Sequence, residues 1–116
     1  MEDNKAILLK ANEHIVNGEH EAFLSHCRED VVWEFVGDQV LNGKQEVREY
    51  IDANYITPPE FTVLDLIGEG EHVVVIGVIS LKDENGKTVT SDYCDVWTFC
   101  DGKMAALKAF VSERKS

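Results

Sequence analysis

Apolar residues recur at three- and four-residue intervals at the start of the chain. Ile7, Leu8, Ala11 and Ile15 fall on one face between Asp3 and Asn17, with charged residues between them, which predicts an amphipathic helix. Gly18 supplies its stop, because glycine tolerates the left-handed conformation that ends helices. "EHEAFLSHC" reads as a short second helix burying Ala22, Phe23 and Cys27. "VVWEFV", Val31 to Val36, is β-branched and aromatic and reads as a strand, with "GDQVLNG" as the loop after it. A third helix over Lys44 to Asn54 presents Val47, Tyr50, Ile51 and Asn54 on one face, and Pro58-Pro59 prevents its continuation.

The second half changes period. "EFTVLDLIGEG", "EHVVVIGVISLKD", "TVTSDYCDVWTFCD" and "KMAALKAFVSE" are strand-like runs. Short turns at Gly68-Glu69-Gly70, Asp83-Glu84-Asn85-Gly86 and Asp101-Gly102 divide them, so they form an antiparallel meander. Val73 to Ile79 shows almost no alternation, which predicts a central strand covered on both faces. Helices would cover one face; a second copy of the chain is the candidate for the other. Helices first and sheet second make one α+β domain over residues 1–116.

One strand carries an anomaly. Period two puts Tyr93, Asp95, Trp97 and Phe99 on a single face, so a carboxylate sits among three aromatic rings. Either Asp95 is solvated on an open face, or it is set in an apolar pocket that raises its pKa.

Composition narrows the partners. Eleven Lys and Arg face 22 Asp and Glu, a formal net charge of −11 over 116 residues. No basic cluster exists to bind phosphates, which argues against nucleic acid and against an anionic membrane surface. The N-terminal stretch "MEDNKAILLK" lacks the pattern of a signal peptide, and no run approaches the ~20 apolar residues of a membrane span. Cys27, Cys94 and Cys100 cannot all pair. Cys94 and Cys100 on one strand would lie roughly 20 Å apart, so reduced thiols in a cytoplasm are expected.

Several chemistries find no support. His14, His20 and His26 are spaced six apart, which does not stack on one helical face, so no metal site is expected. No motif sets a base beside a Ser or Cys, and Gly68-x-Gly70 lies between strands rather than before a helix.

Three segments, "VVWEFVGDQVLNGKQEVREYI", the helix end "NGEHEAF", and "DVWTFCDGKM", together resemble SnoaL-like and ketosteroid-isomerase-like proteins of the nuclear-transport-factor-2-like superfamily. The resemblance covers nearly the whole chain. It implies a cone: a curved mixed, mostly antiparallel sheet wrapped around the N-terminal helices, with an apolar pocket at its open end. It also implies a homodimer through the outer sheet face. Members include isomerases, cyclases, epoxide hydrolases and dehydratases, and also proteins without chemistry, so function must come from the site.

The resemblance puts Asp95 where the isomerases hold a protonated Asp that donates a hydrogen bond to an enolate oxygen. Their general base is a carboxylate on the first strand shortly before a Gly. Glu34, three residues before Gly37, is the candidate there. Alternation puts Val31, Trp33 and Phe35 on one face and Glu34 on the other, unless a bulge shifts the register. The isomerases' oxyanion Tyr corresponds to Ala11, and Tyr50, Tyr55 or Tyr93 could replace it only from another direction. The cyclases' last-strand Asp corresponds to Ala109. The paired Asp and bridging Arg of the epoxide hydrolases have no match on the central strands.

The expected function is a pocket for a small apolar molecule, lined by Trp33, Phe35, Phe61, Tyr93, Trp97, Leu107 and Phe110. If it is an enzyme, it is a cofactor-independent isomerase, cyclase or lyase that moves a proton next to a carbonyl, with Asp95 and Glu34 as acid and base. The alternative is a non-catalytic dimeric binding or assembly module.

Overall fold

Asp3 accepts a hydrogen bond from the Ala6 N–H at 2.8 Å and so caps the first helix, α1, Asn4–Val16. A computed structural model describes residues 3–114. Gly18, at φ 74°, turns the chain out of α1, and α2 follows over His20–Leu24. Cys27, expected to end that helix, instead opens strand β1, Cys27–Phe35. The expected loop after it contains a short strand, β2 (Gln39–Asn42), which pairs antiparallel with Val32–Phe35. That pairing satisfies the backbone edge that β1 would otherwise leave open. Helix α3 spans Lys44–Asn54, and the meander follows as β3 (Glu60–Glu69), β4 (His72–Lys82), β5 (Thr88–Cys100) and β6 (Lys103–Glu113).

The strands form one open, mixed sheet in the order β2-β1-β6-β5-β4-β3. Only β1 and β6 run parallel, because the chain returns to β1 after the whole meander. The sheet bends at bulges in β1 between Cys27 and Val32, in β3 between Val63 and Asp65, and between Thr98 and Phe99 of β5. Asp101 and Gly102, both at positive φ, make the tight turn between β5 and β6.

The helices cover the concave face. Leu8, Ala11 and Ile15 of α1 and Val47 and Ile51 of α3 are buried against Val31, Trp33, Val73, Val75, Trp97, Phe99 and Leu107. Strand β4 is next to the edge rather than central, and only residues of its inner face, Val73, Val75 and Gly77, are fully buried. Ile76 on its outer face is exposed, as are Phe110 of β6 and Leu64 and Ile67 of β3. The apolar run in β4 therefore reflects two apolar faces, of which the single chain covers one. None of the described helices is long and apolar enough to cross a membrane.

Gly77 serves the bend. A Cβ there would press on the Thr62 carbonyl and come within 2.8 Å of the Tyr93 hydroxyl, so the missing side chain lets the tyrosine lie across β4. Tyr93 pairs with Gly77 in register, and its ring meets Phe61 edge-on at 6.2 Å.

Candidate functional site

Strand parity assembles the site. On β5, Tyr93, Asp95 and Trp97 face inward; opposite them stand Gly77, Val75 and Val73 of β4, and Val111, Ala109 and Leu107 of β6. Asp95 is thus bordered on its own face by a tyrosine, a tryptophan, a valine and an alanine. Ala109 is short, and the space beside it is open. A cavity of about 70 Å³ results, lined from the helices by Asn12, Ile15 and Phe23, and from the sheet by Trp33, Phe35, Asp95 and Trp97 among others.

The Asp95 carboxyl has no hydrogen-bond or ion-pair partner among the described residues. Part of its surface stays open to the cavity, yet protein atoms crowd it on nearly every side, and crowding sets its hydration. Burial pushes its pKa up to about 7, so near neutral pH it is divided between acid and carboxylate.

Two tyrosines share the cavity. Tyr55 ends α3, where its N–H bonds the Ile51 carbonyl, and Pro58-Pro59 turns the chain away just beyond. Burial raises its hydroxyl pKa far above the usual range, and the charges of Tyr50 and Asp95 add to this. Tyr93 is pushed up to about 12, first by burial and then by Asp95. Both hydroxyls therefore stay protonated and remain donors. Around them Trp33 meets Phe23, Phe35, Tyr50 and Trp97 edge-on, with centroids 5.8–6.4 Å apart. The Trp33 Nε1 and Tyr93 hydroxyl are buried without a partner, each at a cost of about 1–3 kcal/mol while unsatisfied.

Of the residues considered from sequence, Trp33, Phe35, Phe61, Tyr93, Asp95, Trp97 and Leu107 line the cavity together. Phe110 does not. It pairs with Cys94, between the inward Ala109 and Val111, and lies exposed on the outer face. Glu34 is also absent from the cavity. Its neighbours Trp33 and Phe35 point inward, and it sits opposite Lys108 and Val40 on the convex side. The irregularity in β1 falls before Val32, too early to turn Glu34 inward. Asn12, Ile79 and Val111 carry no sequence signal that singles them out as lining; Ile15 and Phe23 were expected only on buried helix faces, and Tyr55 only as a substitute donor. Helical spacing sets Asn12, four residues after Leu8 and three before Ile15, beside the buried stripe without distinguishing a cavity wall from core.

No group of His, Cys, Asp and Glu among the described residues is arranged to hold a metal ion. What the cavity offers instead is one tunable carboxyl, phenol donors and apolar walls, a combination suited to binding and to proton transfer.

Comparison with known proteins agrees with this architecture. The epoxide hydrolase/cyclase-like enzyme SalBIII, from pyran ring formation in the polyether salinomycin, superposes with a TM-score of 0.87 at 23% identity, covering 94% of this chain and 90% of that one. An LEH-like epoxide hydrolase of M. tuberculosis gives 0.84 at 14% identity, over 94% and 82%. An NTF2-like protein of unknown function from Burkholderia pseudomallei gives 0.82 at 21%, over 94% and 90%. At such identities the likeness establishes the fold alone. No functionally curated protein matches the chain. The model of the SnoaL-like domain matches residues 9–107, and the chain belongs to that family.

Proposed function

We propose that this domain binds a small apolar carbonyl compound in the cavity and moves a proton on the carbon next to the carbonyl. The supporting observation is Asp95: an unpartnered carboxyl, walled by apolar side chains, with a pKa brought to about 7 by burial. A base works best when its pKa lies near the working pH, and burial alone brings this one there. As carboxylate, Asp95 takes the proton from carbon. The protonated Tyr55 hydroxyl, which shares the cavity, is the donor to the enolate oxygen. Asp95, whose proton exchanges with solvent through the open side of the cavity, then protonates another carbon, so a second carboxyl is not required and Glu34 takes no part. Such a cycle serves an isomerase, and with an internal nucleophile a cyclase.

Deuterium exchange into 2-cyclohexenone, followed by NMR, tests the proposal. Wild type accelerates exchange, and Asp95→Asn lowers the acceleration by about 10²-fold or more. Tyr55→Phe lowers it less. An undiminished rate in Asp95→Asn would remove the carboxyl from the mechanism.

A second reading, ligand binding without turnover, draws on the small inner cavity and its single carboxyl. Under it, the wild type binds the ketone and exchange stays at the buffer rate. For both readings we propose a homodimer through the convex face, where Ile67, Ile76 and Phe110 are exposed. Sedimentation of wild type against Phe110→Asp checks this, the variant being expected to dissociate.

A further inference from the structure

The inner cavity and the space in front of it differ in charge. The 70 Å³ chamber opens into a vestibule of about 950 Å³, and both share Phe35, Tyr55, Ile79, Ala109 and Val111 as walls. A ligand with one end beside Asp95 and more than a few heavy atoms must have its other end in the vestibule.

The lip of the vestibule is apolar: Val36, Ile56 and Val111 are all exposed there, Ile56 to 82%. Beyond it stand four carboxylates, Asp38, Asp83, Glu84 and Glu113, and among the described lining residues Lys82 is the one cation. Asp83 is held in place, because its Oδ1 accepts the N–H groups of Asn85 and Lys87, both at 2.9 Å. Asp38 acts on the vestibule wall, where its charge adds to burial in raising the Tyr50 hydroxyl pKa. The net charge of −11 acts in the same direction. A carboxylate or phosphate at the mouth meets repulsion from all of these groups, whereas an ammonium is attracted.

The inner end differs. Asp95 lines it, open to the chamber in part and with no hydrogen-bond or ion-pair partner among the described residues. An unpartnered carboxyl in an otherwise apolar chamber wall is an independent sign of a ligand group that hydrogen-bonds it, such as a carbonyl or hydroxyl oxygen. Resting on the reading of the cavity as a ligand site, we propose that the ligand is a cationic amphiphile. Its neutral, oxygen-bearing end enters the inner chamber, and a protonated amine stands among Asp38, Glu84 and Glu113 at the mouth.

Three naphthyl ketones, ending on an alkyl tether in an ammonium, a hydroxyl or a carboxylate, test this. Binding is read from quenching of Trp33 and Trp97, both in the cavity wall. At low salt the ammonium probe should bind about tenfold tighter than the hydroxyl probe and the carboxylate probe about tenfold weaker. The spread should close near 1 M salt, where the Debye length is about 3 Å. It should also close in the combined variant Asp38→Asn, Glu84→Gln, Glu113→Gln, whose changes are confined to exposed side chains. Equal affinities in wild type, or tightest binding of the carboxylate, overturn the charge assignment and leave the cavity as a ligand site. Failure of all three probes to bind overturns both.

Discussion

Asp92 and Asp95 lie three residues apart on β5, on opposite faces of the sheet, and their surroundings differ in every respect. On the convex face Asp92 is exposed and accepts two hydrogen bonds from the Arg114 guanidinium, at 2.9 and 3.0 Å. The arginine, through those bonds, holds its pKa below the ordinary value. On the concave face Asp95 has aromatic and aliphatic neighbours, and burial holds its pKa far above. One strand therefore carries one carboxyl kept ionised and another divided between acid and carboxylate near neutral pH. Side-chain alternation separates the two faces, and the helices desolvate one of them.

The contrast between faces is sharpest for two phenylalanines. Phe99 is 1% exposed on the inner face and Phe110 44% exposed on the outer. Phe99→Ala should cost about 3–5 kcal/mol in urea unfolding. Phe110→Ala should cost far less when measured at concentrations where the chain is monomeric. Similar losses for the two would mean that the outer face is buried in the folded unit.

Asp95→Asn should raise stability, with a definite pH dependence. Well below pH 3.8 the carboxyl is neutral in folded and unfolded chains alike, so it contributes nothing. As pH rises from 3.8 toward 7, the unfolded chain releases this proton first, and wild type loses stability relative to the variant. Above pH 7 the difference levels off. Allowing for the part of the side chain open to the cavity, it should reach about 2–4 kcal/mol in denaturant melts at pH 8. A variant no more stable than wild type at pH 8 would show that Asp95 is well solvated.

Gly77→Ala acts at the boundary between the faces, where the added methyl meets the Thr62 carbonyl and the Tyr93 hydroxyl. A loss of about 1–3 kcal/mol is expected, and Tyr93→Phe in the same background should recover little of it because the carbonyl remains. Asp92→Asn should have the smallest effect. Its ion pair with Arg114 is about half exposed on both sides, so any change in thermal midpoint should be slight and should vanish at high salt.

Much of this architecture follows from local pattern. The 3.6-residue period of α1 and α3, the Asp-Gly turn after β5 and the strand runs of the second half depend on neighbours in sequence, and each appeared within a few residues of its expected place. Asp95, Trp97 and Trp33 were legible as a site for the same reason: period two in two strands brings them inward. Phe110, expected in the cavity wall, follows the same rule to the outer face. Leu107 and Phe110 are an odd number of residues apart in one strand and cannot share a face without a bulge.

Dihedral preference and spacing along one chain segment set the elements, their inward faces and the placement of one acid among aromatic rings, so these are written in local sequence. The folded chain alone shows that Glu34 lies outside the cavity, that Tyr55 and Asn12 line it beside Asp95, and that carboxylates gather at its mouth. These facts depend on how β1 registers against β6, and on how far α1 and α3 close over the bent sheet. Such distances join residues far apart in the chain, and no local pattern encodes them.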